Sequence, residues 1–241
     1  MSATRPAGGS GVRFHAHADA DSWAAASADA IAAELARPLQ GGRRARLLLS
    51  GGSTPAPVYR LLARHALDWA RVDVALVDER WLRPDDPDSN ARLLRDTLLQ
   101  QRAKDAAFQS LTRPGQGIED AVHAANLHAR SAADVVVLGM GEDGHTASLF
   151  PRMRDLDQAL DSAQPYVAVD ASGCAGAGRF ARRISLTPAG LAPARARLLL
   201  IRGASKRALF ERAMDGDNVR ELPIRLAFTV PGAPLQVHWA A

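Results

Sequence analysis

The sequence predicts an α/β fold, an open and mostly parallel sheet with helices on both faces. Three observations carry the expectation. Short apolar runs bounded by Gly, Pro or Asp recur at 46–50, 72–77, 134–138, 166–169, 197–201 and 235–239, as strands buried on both faces do. Stretches with apolar residues three or four apart lie at 19–39, 55–66, 88–100, 117–131 and 203–214, and strands alternating with helices imply parallel pairing through crossovers. The 241 residues suit one such domain, at roughly 100–200 residues per domain.

In chain order, residues 1–11 are small and rich in Gly and Pro and read as a flexible tail, leaving 12–241 as a single α/β domain. Residues 19–39 set Trp23, Ile31 and Leu35 among alanines, a helix with Asp19 or Asp21 as its cap. The next three strands end in Ser50-Gly-Gly-Ser-Thr-Pro55, Asp78-Glu79-Arg80 and Gly139-Met-Gly-Glu-Asp-Gly144. Ligands of parallel sheets bind beyond such carboxyl ends, so the chemistry is sought there. The run 166–169 leads into the Gly- and Ala-rich stretch 171–178, which reads as a mobile surface loop. Gly203 opens the last long helix, and 235–239 is the final strand.

Composition excludes several classes. No apolar run approaches 18 residues, so no membrane-spanning helix is expected. The lone Cys174 cannot form an internal disulfide and no apolar leader precedes the domain, which makes the cytoplasm the expected compartment. The net charge of +4 rests on 30 Lys+Arg, all arginine except Lys104 and Lys206. Arginine favours anions, but the 48 alanines beside it point to compositional bias for most of the excess. Arg43, Arg44 and Arg46 form the densest cluster and lack interleaved aromatics, so they read as a solvated loop and no nucleic-acid partner is expected.

The three strand ends hold the candidate chemistry. In 50–55, Gly51 and Gly52 permit close backbone approach, Ser53 and Thr54 add hydroxyls, and Pro55 suits the first position of a helix whose free N–H groups attract an anion. An ordinary strand-to-helix turn would use the same residues. A Walker loop is absent, which argues against a nucleoside triphosphate. In 78–80, three consecutive charges are poor sheet formers and require water or a ligand. Arg80 would clamp a phosphate there with Asp78 or Glu79 orienting it, unless the cluster is a surface salt bridge; Ser89 or Asn90 would face the same pocket.

In 139–144, Gly-x-Gly-x-x-Gly formally matches a dinucleotide fingerprint, but Pro151 interrupts the helix that should follow and the next acidic strand end, Asp170, is too distant. What remains is Asp143 two residues before His145, a carboxylate placed to fix the tautomer of a proton-transferring imidazole. No His, Cys or Asp grouping has metal-ligand spacing, so neither metal nor cofactor is expected.

With these segments together, and with Arg183-Ile-Ser-Leu-Thr187 and Gly203-Ala-Ser-Lys206 following in order, the chain resembles the glucosamine-6-phosphate isomerase/6-phosphogluconolactonase family. The string Gly139–Pro151 is the most specific part. The resemblance implies a fold like that of glucosamine-6-phosphate deaminase and ribose-5-phosphate isomerase. It implies hydrolysis of 6-phospho-D-glucono-1,5-lactone in the pentose phosphate pathway. It places His145 as general base and Asp143 as its orienting partner. The substrate would lie on Gly51, Gly52, Ser53, Thr54, Asp78, Arg80, Arg183 and Lys206, in a monomer or weak homo-oligomer. The deaminase branch carries a glutamate before the proline where this chain has Phe150, which favours the lactonase branch. A deaminase-like sugar-phosphate isomerase and a sugar-phosphate-binding regulator are the alternatives. The C-terminal Val237-His-Trp-Ala-Ala241 lacks the Asp common in the family.

Overall fold

The computed structural model describes residues 11–241; the expected tail, apart from Gly11, lies outside the described residues. Ten strands are formed: β1 (Val12–Ala16), β2 (Ala45–Leu49), β3 (Val72–Leu76), β4 (Asp78–Arg80), β5 (Ala107–Gln109), β6 (Val135–Leu138), β7 (Tyr166–Asp170), β8 (Arg182–Leu186), β9 (Arg197–Arg202) and β10 (Leu235–Ala240). Helices α1 (Ala20–Gln40), α2 (Ala56–Leu62), α3 (Asn90–Thr97), α4 (Ile118–His128), α5 (Leu156–Leu160), α6 (Pro188–Leu191), α7 (Ala204–Met214) and α8 (Leu226–Thr229) run between them. Seven strands build a wholly parallel sheet in the order β1-β10-β9-β6-β2-β3-β5. From β2 the chain winds outward through β3 and β5, then returns to β6 on the other side of β2. That reversal makes the β2/β6 boundary the switch point, the place where an open parallel sheet forms a crevice at its carboxyl edge.

The central strands are apolar because both faces are covered: β2, β3 and β6 bury Leu47, Leu49, Val74, Leu76, Val135 and Val137 completely. Asp19 caps α1 in a reciprocal box with Ser22, whose N–H donates to Asp19 Oδ1 at 2.7 Å. The stripe Trp23, Ile31 and Leu35 is fully buried, and Trp23 Nε1 donates to the His238 carbonyl at 3.0 Å.

Three expectations change. The run 166–169 does not join the parallel sheet; as β7 it pairs antiparallel with β8, which pairs with β4 in a separate sheet ordered β4-β8-β7. The chain crosses over at Val77, whose N–H bonds Leu49 in the main sheet while its carbonyl accepts from Leu186 in the small one. The charged triplet 78–80 is therefore itself a strand, with Asp78 opposite Ser185 and Arg80 opposite Arg183. Of the arginines at 43–46, Arg43 and Arg44 are exposed as expected, pairing with Asp134 and Asp73, but Arg46 is not in a solvated loop: it is buried in β2 and donates to the His128 carbonyl.

At the other edge, β1 and β10 bring together His15, His17 and His238. His238 stacks on His15 at 4.8 Å and on His17 at 5.3 Å, and His17 Nε2 lies 3.2 Å from His238 Nδ1. Burial, then the two neighbouring imidazoles, depress the His238 pKa from 6.5 to about 4. Between those values the unfolded chain binds a proton that the folded chain refuses, so stability falls as pH drops through this window. The full loss is about 3 kcal/mol. Thermal melts at pH 7 and 4.5 are expected to show it, and His238→Gln, which cannot titrate, should flatten the slope.

Candidate functional site

The switch point is occupied by a cleft of about 180 Å³. Its floor is the loop after β2. Gly51 must lack a side chain because a Cβ there would stand 1.8 Å from Asn90 Oδ1, and Gly52 adopts a left-handed φ of +92°. Tyr59 holds the loop by donating to the Ser50 carbonyl at 2.8 Å. Gly51, Gly52 and Thr54 line the cleft with Pro55, which has helical φ and ψ before α2. Ser53 is exposed and is not among the lining residues.

The small sheet supplies one wall, with Asp78 and Arg80 from β4 and Arg183 from β8. Asp78 is buried and accepts from Ser148 Oγ at 2.5 Å. The Arg80 Nη1 donates to the Asp88 carbonyl, while its Nε is buried without a partner. Arg183 is buried too, and two of its donors are spent: Nε on Phe180 O and Nη2 on Ala177 O, both at 2.8 Å. Burial, only partly offset by Asp78, holds its guanidinium below its ordinary acidity range.

Glu79 lies behind this wall, fully buried. Its carboxylate accepts the N–H groups of Arg80 at 2.8 Å, Asn90 at 2.8 Å and Ala91 at 2.7 Å. Burial pushes its pKa up to about 7 against these three hydrogen bonds. Water or ligand was expected to satisfy this triplet; the backbone at the start of α3 satisfies Glu79 instead. Of the two candidates at that helix start, Asn90 lines the cleft, whereas Ser89 caps α3 by accepting from Arg92 N at 2.9 Å.

The loop after β6 supplies the opposite wall. It is closed by Gly141 N donating to His145 O at 2.9 Å and by Ile224 N donating to Gly144 O at 2.9 Å, with Gly144 at φ +83°. This turn brings His145 Nδ1 to 2.6 Å from Asp143 Oδ1, which also accepts the His145 amide at 3.1 Å. Burial raises the Asp143 pKa, but hydrogen bonding and charge from His145 outweigh it and leave the carboxyl below its usual range. An ionised Asp143 accepts only, so Nδ1 carries the proton and Nε2 is the free base. His145 lines the cleft and Asp143 stands behind it. Phe150, fully buried, packs on the imidazole at 4.2 Å between centroids.

Lys206, at the start of α7, completes the rim. Its Nζ donates to Met140 O at 2.6 Å and lies 3.2 Å from Glu142. Arg202, which the sequence reading missed, also lines the cleft, its guanidinium 5.7 Å above the Trp23 ring. Its signal was present: it ends β9, immediately before Gly203-Ala-Ser-Lys206. Ser148 was missed for a different reason, since only the fold shows that its hydroxyl joins Asp78 to the loop after β6.

Fold and cleft together define a doubly wound α/β protein whose switch-point crevice sets several cations around a carboxylate-held imidazole. The chain belongs to the glucosamine-6-phosphate isomerases/6-phosphogluconolactonase family, whose model matches residues 18–239, and is an enzyme of that family. A protein of Xylella fastidiosa named 6-phosphogluconolactonase is 54% identical over 82% of this chain and 83% of its own length. One of Rhizobium meliloti with the same name is 38% identical over 95% of this chain and 99% of its own. The crystal structure of a 6-phosphogluconolactonase from Shewanella baltica superposes with a TM-score of 0.88 at 33% identity, covering 95% of this chain and 98% of that one.

Proposed function

We propose that the chain hydrolyses 6-phospho-D-glucono-1,5-lactone to 6-phospho-D-gluconate, the second step of the oxidative pentose phosphate pathway, with His145 as general base. The observation that carries the reading is the Asp143–His145 pair, whose free Nε2 belongs to the same cleft as the Gly51–Gly52 loop and Lys206. The relatives named for this activity support it. In the mechanism, Nε2 takes a proton as a water oxygen bonds to the lactone carbonyl carbon. Collapse of the tetrahedral adduct breaks the bond to the ring oxygen, which receives the proton from the imidazolium, and the new acid ionises. The amides of Gly141 and Gly144 already serve loop carbonyls, so a cleft-lining arginine such as Arg80 stabilises the developing oxyanion. Thr54, the loop backbone and Lys206 receive the phosphate, Arg183 adds positive charge beside it, and Asp78 accepts from sugar hydroxyls.

The test compares phosphorylated and plain glucono-1,5-lactone with purified protein, with and without a chelator. Hydrolysis indifferent to chelator is expected, with kcat/KM at least about a hundredfold higher for the phosphorylated lactone, since charge-assisted hydrogen bonds are worth about 1.5–3 kcal/mol each. Binding of 6-phosphogluconate without turnover of either lactone would overturn the reading in favour of a regulator.

A further inference from the structure

The stretch 171–178 contains almost no side-chain chemistry and lies at the surface, with Gly176 exposed, yet it is anchored at both ends. Ala171 and Ala177 are buried with Phe150 and Val169. Ala171 N donates to Ala181 O at 2.9 Å, and Arg183 holds the Ala177 carbonyl. The short helical turn Ala175–Ala177 is thereby seated against the Asp143–His145 pair.

We infer that Gly176 is a positioning residue for this pair, holding the Asp143 carboxylate in line with the imidazole by the closeness of its backbone. A Cβ built on Gly176 would lie 2.4 Å from Asp143 Oδ2 and 3.0 Å from His145 Nδ1. A Cβ on Gly141 would likewise lie 2.1 Å from His145 Nδ1 and 2.7 Å from Asp143 Oδ1. Two glycine backbones thus confine one hydrogen bond. Neither glycine has a left-handed φ, so alanine suits the backbone at both positions, and the nearest atoms a Cβ would meet are those of the pair. At Gly176 the nearest atom is the end of a side chain free to turn, so the carboxylate yields and the fold does not. A turned Asp143 no longer accepts from Nδ1, the tautomer preference is lost, and Nε2 carries the proton part of the time.

This rests on the proposed hydrolysis, and the experiment separates the two. Gly176→Ala is expected to lower kcat for the phosphorylated lactone roughly 10–100-fold, with KM within about twofold and Tm within about 3 °C. One further readout would not move for a merely structural residue. The low-field proton resonance of the Nδ1–H bridged to Asp143 should move upfield or vanish, whatever the substrate. Ser172→Ala, exposed on the same stretch, should leave all of these unchanged. Wild-type kcat and proton resonance in Gly176→Ala would overturn the inference, and a large fall in Tm would do so by assigning Gly176 to the fold. Failure of the wild-type protein to open the lactone would instead remove the functional reading, while the resonance would still report on the pair.

Discussion

Replacing His145 by alanine is expected to lower kcat for the phosphorylated lactone by about 10²–10⁴-fold, the usual worth of a positioned general base, with KM little changed. The fold should tolerate the change. The imidazole is partly exposed and the Asp143 carboxylate, 30% exposed, turns to water when its partner is removed. A Tm within roughly 4 °C of the wild type is expected. His145→Gln fills more of the space over Phe150 but cannot shuttle a proton, so it should be equally slow. Full activity in either variant would reject the general-base assignment. Mass spectrometry of the reacting enzyme supplies a second check, because direct attack by water leaves no acyl-enzyme to trap.

Glu79→Gln is expected to damage both stability and binding. At pH 8, above its displaced titration, the carboxylate serves three amide donors with two oxygens. A carboxamide keeps one oxygen and turns an NH₂ toward the Ala91 N–H or toward the other two. One buried donor left unmet costs about 1–3 kcal/mol, and facing donors push the cost toward the upper end. For a chain of this size, a loss of 2–3 kcal/mol lowers Tm by roughly 4–12 °C. The bonds broken set the backbone of Arg80 and Asn90, so KM for the phosphorylated lactone should rise more than kcat falls. A variant with wild-type Tm would show that the three bonds contribute little net stability. Equal proportional losses in KM and kcat would reject a role in setting the cleft wall.

The parallel sheet was legible because its strands are buried on both faces and announce themselves as unbroken apolar runs. The strands that were not legible are those without an unbroken apolar run. β1 exposes Arg13 and Phe14, β5 has three residues, and β4 is written entirely in charged side chains. Pattern alone could not place Asp78-Glu79-Arg80 in a strand, because what makes the charges tolerable there comes from afar: the Ser148 hydroxyl and the amides of Asn90 and Ala91. Three of the segments that meet in the cleft were readable through their position at strand carboxyl ends, which the switch-point rule selects, whereas Arg183, near the start of β8, and Lys206 entered only through the family resemblance. Gly176 escaped that rule, since it sits between two antiparallel strands and presents only backbone, and a run of Gly and Ala looks the same whether it is loose or tightly seated. The exposure of Ser53 was equally beyond reach, for a hydroxyl beside two glycines faces either way until the turn is known.

The register that sets Arg80 opposite Arg183 makes the small sheet more than a scaffold. Two guanidinium groups across one strand pair repel each other, and the carboxylates nearby are already engaged by Ser148 and by the backbone. If the proposed function holds, an arriving phosphate dianion would act as mortar, cementing strands that like charge pries apart, so occupancy and cohesion of this sheet are expected to rise together. On that reading a phosphate ester would be at once substrate and splint for the small sheet.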